Sequence, residues 1–104
     1  NIGCTFSRFD GVWRARCDVF SHTWRAPARP ASCDFDWGSA MRMGRTTRPR
    51  FLCVSDAAGG SSILAYGRTR RIGPFTCRSL QSGLRCTNAA GHGWKLSKQT
   101  RRFF

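Results

Sequence analysis

The sequence predicts a small disulfide-rich domain that is all-β or β-dominated, made of antiparallel hairpins with little helix. Three observations lead there. Short runs rich in Val, Ile, Phe and Trp alternate with polar residues and are bounded by Gly, Pro, Asn and Asp. No stretch of ten residues shows the apolar period of a helix. Six cysteines in 104 residues, no two closer than nine positions, form no C-x-x-C and read as a disulfide framework. A chain of 104 residues has room for one domain spanning 1–104. No apolar run approaches the roughly 18 residues that cross a bilayer as a helix.

The elements follow in order. Ile2 to Arg8 and Val12 to Phe20 form a first hairpin, because Asp10-Gly11 suits the positive φ angles of a type I′ turn. Trp24 to Pro30 contains Pro27 and Pro30, which exclude a helix interior and a central strand, so this is an extended connector packed down by Trp24. Cys33 to Gly38 comes next, and Ser39 to Gly44 is expected to make one short helical turn. Phe51 to Val54 is a short strand, Asp56 to Ser62 a loop of small residues, and Ile63 to Tyr66 a further strand ended by Gly67. Phe75 to Cys77 and Leu84 to Thr87 form a second hairpin around a four-residue loop, Leu80 to Gly83, with Gly83 at the left-handed position. Asn88 to Gly93 is a turn and Trp94 to Leu96 a last strand.

Turn positions predict cysteine pairs. With Asp10 and Gly11 as the loop, opposed residue numbers sum to 21, as Cys4 and Cys17 do. In the second hairpin they sum to 163, as Cys77 and Cys86 do. Each hairpin is stapled across its own strands, and Cys33–Cys53 follows by exclusion. Such bridges each contribute about 2–4 kcal/mol, which a thin core needs, and they belong to an oxidising compartment.

The order Gly3-Cys4, Cys17-Asp18, Cys33, Asp36-Trp37-Gly38, Cys53, Asp56, Leu64-Ala65-Tyr66-Gly67, Cys77, Ser82-Gly83-Leu84, Cys86, Asn88, Gly91-His92-Gly93, Leu96-Ser97 and Phe103 resembles a family of small, cysteine-rich, exported actinobacterial (mycobacterial-type) proteins of unknown function. The resemblance spans nearly the whole chain. It implies export, behind a signal peptide or lipid anchor, and brings no catalytic residue. Trp94 stands where the family pattern has Phe. The chain begins Asn1-Ile2-Gly3 rather than with Met, as expected of a mature product or an excised domain.

Charge is the other strong feature. Eighteen Lys and Arg face five Asp and no Glu, a formal net charge of +13, and Arg outnumbers Lys sixteen to two. Three clusters stand out: Arg42, Arg45, Arg48 and Arg50; Arg68, Arg70 and Arg71 in a loop after Gly67; and Lys95, Lys98, Arg101 and Arg102. Guanidinium forks bind phosphate and carboxylate bidentately, and four tryptophans offer faces for stacking. An arginine-rich composition without a selected partner is the plain alternative, although a field of +13 attracts polyanions in either case.

Catalysis has weaker support. His22 and His92, with Lys95, match the residue types of a secreted ribonuclease, in which two imidazoles exchange protons and a cation stabilises the phosphorane. His92, between Gly91 and Gly93, suits a turn histidine bonding backbone at least as well, and His22, beside Ser21 and Thr23, reads rather as a structural or exposed residue. Asp34 and Asp36, with Asp56, offer carboxylates for calcium or glycoside chemistry, but ion pairing with Arg is the expected use. No hydrolase or nucleotide-binding motif is present, no metal spacing links His to Cys, and no cofactor is implied. The basic segment Trp94 to Phe104 suits an anionic lipid surface, or its aromatic end closes the sheet. The expectation is an exported basic module that binds an anionic partner (nucleic acid, cell-wall polymer, lipid surface or acidic protein) through arginine-rich loops. The alternative is a secreted ribonuclease-like enzyme or toxin domain.

Overall fold

The computed structural model describes residues 1–56 and 64–104. Among them it is all-β, with nine strands and no helix. The strands are β1 (Ile2–Phe9), β2 (Val12–Val19), β3 (Asp36–Gly44), β4 (Arg50–Val54), β5 (Thr69–Ile72), β6 (Phe75–Leu80), β7 (Gly83–Thr87), β8 (Gly93–Leu96) and β9 (Arg101–Phe103). They form two antiparallel meanders, sheet A in the order β1-β2-β3-β4 and sheet B in the order β5-β6-β7-β8-β9.

The first hairpin turns at Asp10 (φ 51°) and Gly11 (φ 75°), the two positive angles a type I′ turn requires. Its register opposes Cys4 to Cys17, and these are bonded. In the second hairpin Cys77 faces Cys86 and is bonded to it. The loop there is shorter than expected. Ladder pairing continues to Leu80 and Gly83, leaving only Gln81 and Ser82 between the strands. The sum of opposed numbers is unchanged, so the cysteine register holds. Gly83 has φ +144°, and a Cβ there would come within 2.7 Å of the Leu96 carbonyl oxygen. Cys33–Cys53 completes the set, with no free cysteine.

Three expectations are corrected. Residues 39–44 are not a helical turn but most of β3, a central strand paired on both sides. Met41 and Met43 are buried while Arg42 between them is only partly so, and this period of two belongs to a strand. For the strand expected at 63–66, Ile63 lies outside the described residues, and 64–66 are not extended into a sheet. The strand comes later, at Thr69–Ile72, where a loop was expected, and pairs with β6 around Gly73-Pro74. It is a sheet edge, where charged side chains are tolerated on both faces. The expected loop 56–62 lies outside the described residues apart from Asp56. A strand not foreseen as such, β9, pairs with β8 and closes sheet B with the aromatic chain end.

The two sheets bury their inner faces against each other. Ala15, Cys17, Val19, Met41 and Met43 of sheet A meet Phe75, Cys77, Cys86, Trp94 and Leu96 of sheet B in one cluster. Phe6 contacts Phe75 at 5.9 Å and Phe51 contacts Phe103 at 5.0 Å between ring centroids. Two disulfides lie in this layer, so sulfur fills part of the core. Asn88 ties the sheets at one end. Its Nδ2 donates to the Gly44 and Thr47 carbonyls at 3.1 and 2.8 Å, and its Oδ1 accepts from the Ala90 and His92 amides at 3.0 Å each. Trp24 does so at the other end, donating from Nε1 to the Ser97 carbonyl at 2.9 Å.

Candidate anion-binding face

Side chains alternate across a strand, so the inward row Cys77–Cys86–Trp94–Phe103, buried but for the half-buried Phe103, fixes which residues of sheet B face outward. Opposed along the adjacent outward row are Thr69, Arg78, Arg85, Lys95 and Arg102. Four consecutive strands thus carry four cations directly opposite one another, at the strand spacing of about 4.8 Å. Arg78, Arg85 and Arg102 are exposed and Lys95 is partly so. The next outward row holds Arg71, Thr76, Thr87 and Gly93. The guanidiniums of Arg85 and Arg102 both sit over the Phe104 ring, at 4.9 and 5.9 Å from its centroid.

No acidic side chain of sheet B neutralises this row. The five aspartates all precede residue 57, alongside nine cations, whereas residues 64–104 hold nine cations and no acidic side chain. That half alone carries +9 of the +13. Among the described residues the ion pairs are Arg16–Asp18 at 3.0 Å and Arg16–Asp56 at 3.3 Å, both in sheet A or just after it. The hydrogen bond to Asp18, more than any other factor, raises the Arg16 pKa above its ordinary value.

The three sequence clusters do not gather on one face. Arg42 and Arg50 lie in register with Arg16 across sheet A. Burial first, then the charges of Arg50 and Arg14, lower the Arg42 pKa. Arg48 lies in the connection between β3 and β4. Arg45 and Arg71 line a cleft with Trp13, Gly73, Pro74, Thr76, Asn88 and Ala89 at the Asn88 end of the sheets. Arg68 precedes β5, and Arg70 lies on it opposite Cys77, so these two and Arg71 are not a loop cluster. Lys98 sits in the β8–β9 turn, where its carbonyl accepts from the Thr23 amide. Arg101 packs over Phe51 and Phe103 and donates to the Arg25 carbonyl at 2.9 Å, a structural contact. Only Lys95 and Arg102 of the third cluster join the row. Its other members, Arg78 and Arg85, are isolated in sequence and were missed. The signal was present, since 78 and 85 also sum to 163.

His22 stacks on Trp24 at 3.6 Å, with Nδ1 bonded to the Trp24 carbonyl and Nε2 to Ser39 Oγ. His92 belongs to the Asn88 turn, which is held to Gly44. Ser39 and Gly44 are separated by five residues of strand, about 17 Å of extended chain, so these contacts tie the two imidazoles to opposite ends of β3. Lys95 is on the outer face of sheet B, in register between Arg85 and Arg102. Asp36 and Asp56 do share a cleft, with Asp18 and Arg29. The expected ion pairing holds for Asp56, but Asp34 and Asp36 have no salt bridge among the described residues.

The architecture defines a class: a two-sheet, antiparallel β protein stapled by three disulfides, with a row of four cations across one outer face. Residues 5–104 match the family of unknown function (DUF6636), and the chain belongs to that family. No curated protein and no solved structure matches it.

Proposed function

We propose that the protein is an exported, non-catalytic module that binds an anionic macromolecule on the outer face of sheet B. The observation that carries this reading is the row Arg78–Arg85–Lys95–Arg102 on four neighbouring strands of a sheet whose segment holds no acidic side chain. Like charges directly opposite on a sheet destabilise it, and alternating Lys and Glu would serve solubility at no such cost. A row kept against that cost is explained by a partner that supplies the missing anions. Three disulfides persist in oxidising compartments, which supports export.

Salt dependence tests the reading. Neutralising four phosphates of a single strand gives a log–log slope of about −3, and of duplex DNA about −3.6. The double variant Arg78→Gln/Arg85→Gln is expected to reduce the slope by between one and two. Arg42→Gln/Arg50→Gln on sheet A is expected to leave it nearly unchanged. Equal losses from both variants, or binding indifferent to salt, would reject this face as the site.

A further inference from the structure

Within the cationic row, three residues and one ring form a local unit. Lys95 is opposed on one side by Arg85 and on the other by Arg102. Both guanidiniums lie against the same Phe104 ring. Phe104 is itself anchored, because its amide and carbonyl each exchange a hydrogen bond with Gly93, at 3.0 and 2.9 Å. A long exposed arginine normally loses rotamer freedom when it grips a ligand, and stacking on a fixed ring removes part of that freedom beforehand. Two restrained forks flanking an ammonium on a flat face match the oxygens of a phosphate better than a diffuse positive field does.

We propose that Arg85, Lys95 and Arg102, held by Phe104, form a phosphate seat, and that the ligand is a phosphodiester chain running across the strands toward Arg78. This rests on the reading that the outer face of sheet B takes an anion, and adds what kind. The centre of a protein–protein interface is built mainly from apolar and aromatic side chains with arginines among them, whereas here four adjacent cations occupy the centre. A lipid surface calls for apolar side chains that enter the headgroup boundary. Of the exposed large apolar and aromatic residues, Phe9 and Val12 are on β1 and β2, Phe20 and Phe35 lie in the connector after β2, and Tyr66 lies just before β5, so none is on a strand of sheet B. Base reading calls for a helix in a groove or a platform of free aromatic rings. Phe104 is already occupied by two arginines, and the one other exposed ring near the sheet among the described residues, Tyr66, precedes β5 and is not part of the row, so the seat reads the backbone of the chain and not its bases.

The test compares two polymers of equal length and charge, oligodeoxythymidylate and polyglutamate, by fluorescence anisotropy at matched ionic strength. The protein is expected to prefer the phosphodiester by about tenfold, the worth of a well-formed fork to a charged oxygen. Phe104→Leu frees the guanidiniums and Arg85→Lys removes a fork, and neither changes the charge. Both are expected to erase most of the preference while leaving the salt slope intact. The second variant sits at an exposed strand position and keeps the test decisive should the first fail to fold. Equal affinity of the unmodified protein for both polymers, or a preference that survives in Arg85→Lys, overturns the seat but leaves polyanion binding standing. Tighter binding to phosphatidylglycerol vesicles than to the oligonucleotide overturns the choice of ligand. No binding to any of them removes the seat together with the reading beneath it.

Discussion

Reversing one charge in the middle of the row separates the demands of folding from those of binding. Arg85→Glu converts two repulsive cross-strand pairs, with Arg78 and with Lys95, into attractive ones. Cross-strand charge pairs are worth about 0.2–1 kcal/mol each, and exposed positions fall toward the lower end. Changing the sign of two such pairs gains about 1.5 kcal/mol, and losing the Arg85–Phe104 contact returns about 0.5 kcal/mol. The net is a stabilisation of about 1 kcal/mol, or a Tm higher by roughly 4–8 °C for a chain of this size. The gain is electrostatic, so it must shrink with salt. At 1 M the screening length is about 3 Å, shorter than the strand spacing of about 4.8 Å. Thermal unfolding followed by circular dichroism, without reductant, at low and high salt measures both effects, and the same samples titrated with a polyanion measure binding. The expected result is higher stability at low salt, little difference at 1 M, and a loss of binding. A variant that is destabilised at low salt, or whose gain ignores salt, would refute the reasoning that the row strains the fold.

Two further substitutions probe the core that holds this face in position. Trp94 is fully buried and its Nε1 has no hydrogen-bond partner among the described residues. Trp94→Phe removes that unpaired donor, a relief of about 1–3 kcal/mol, against a cavity that costs about 1 kcal/mol, so denaturant unfolding is expected to find it neutral to mildly stabilised. A loss beyond about 2 kcal/mol would mean that the indole N–H is satisfied or that its volume is irreplaceable. Asn88→Ala strands two backbone amides and two carbonyls at the junction of the sheets, and is expected to cost at least about 3 kcal/mol by the same measurement.

What was legible in the sequence was local. Asp10-Gly11 fixes its own turn, the turn fixes the register, and the register brings Cys4 to Cys17. Nothing distant is involved, and the same holds for Cys77 and Cys86. The errors arise where a residue's state depends on neighbours far along the chain. Residues 39–44 carry a weak local signal, and they are extended because β2 and β4 pair with both of their edges. Thr69–Ile72 is a strand because β6 offers it a ladder, and its arginines say nothing of strand or loop. The site was half legible for a related reason. Cations were grouped by proximity along the chain, which is how a loop or a helix gathers charge. A sheet gathers it across strands, one residue from each, and hides the pattern from a linear reading. Arg78 and Arg85 stand alone in sequence yet occupy the middle of the face.

An arginine-rich composition accounts for the number of cations but not for their company. Composition acts on the whole chain, so it would scatter the five aspartates as it scatters the arginines. They are instead confined to the half that builds sheet A, where Asp18 and Asp56 both serve Arg16. Sheet B folds from a segment of nine cations with no acidic side chain, and four of those cations meet on adjacent strands. A single Asp or Glu at 78, 85, 95 or 102 would relieve two neighbours for every interior position it took. The sequence places one at none of these positions, and an exposed surface imposes no packing constraint that would forbid it. The fold does not require this pattern, and the anion-binding role proposed for the face would.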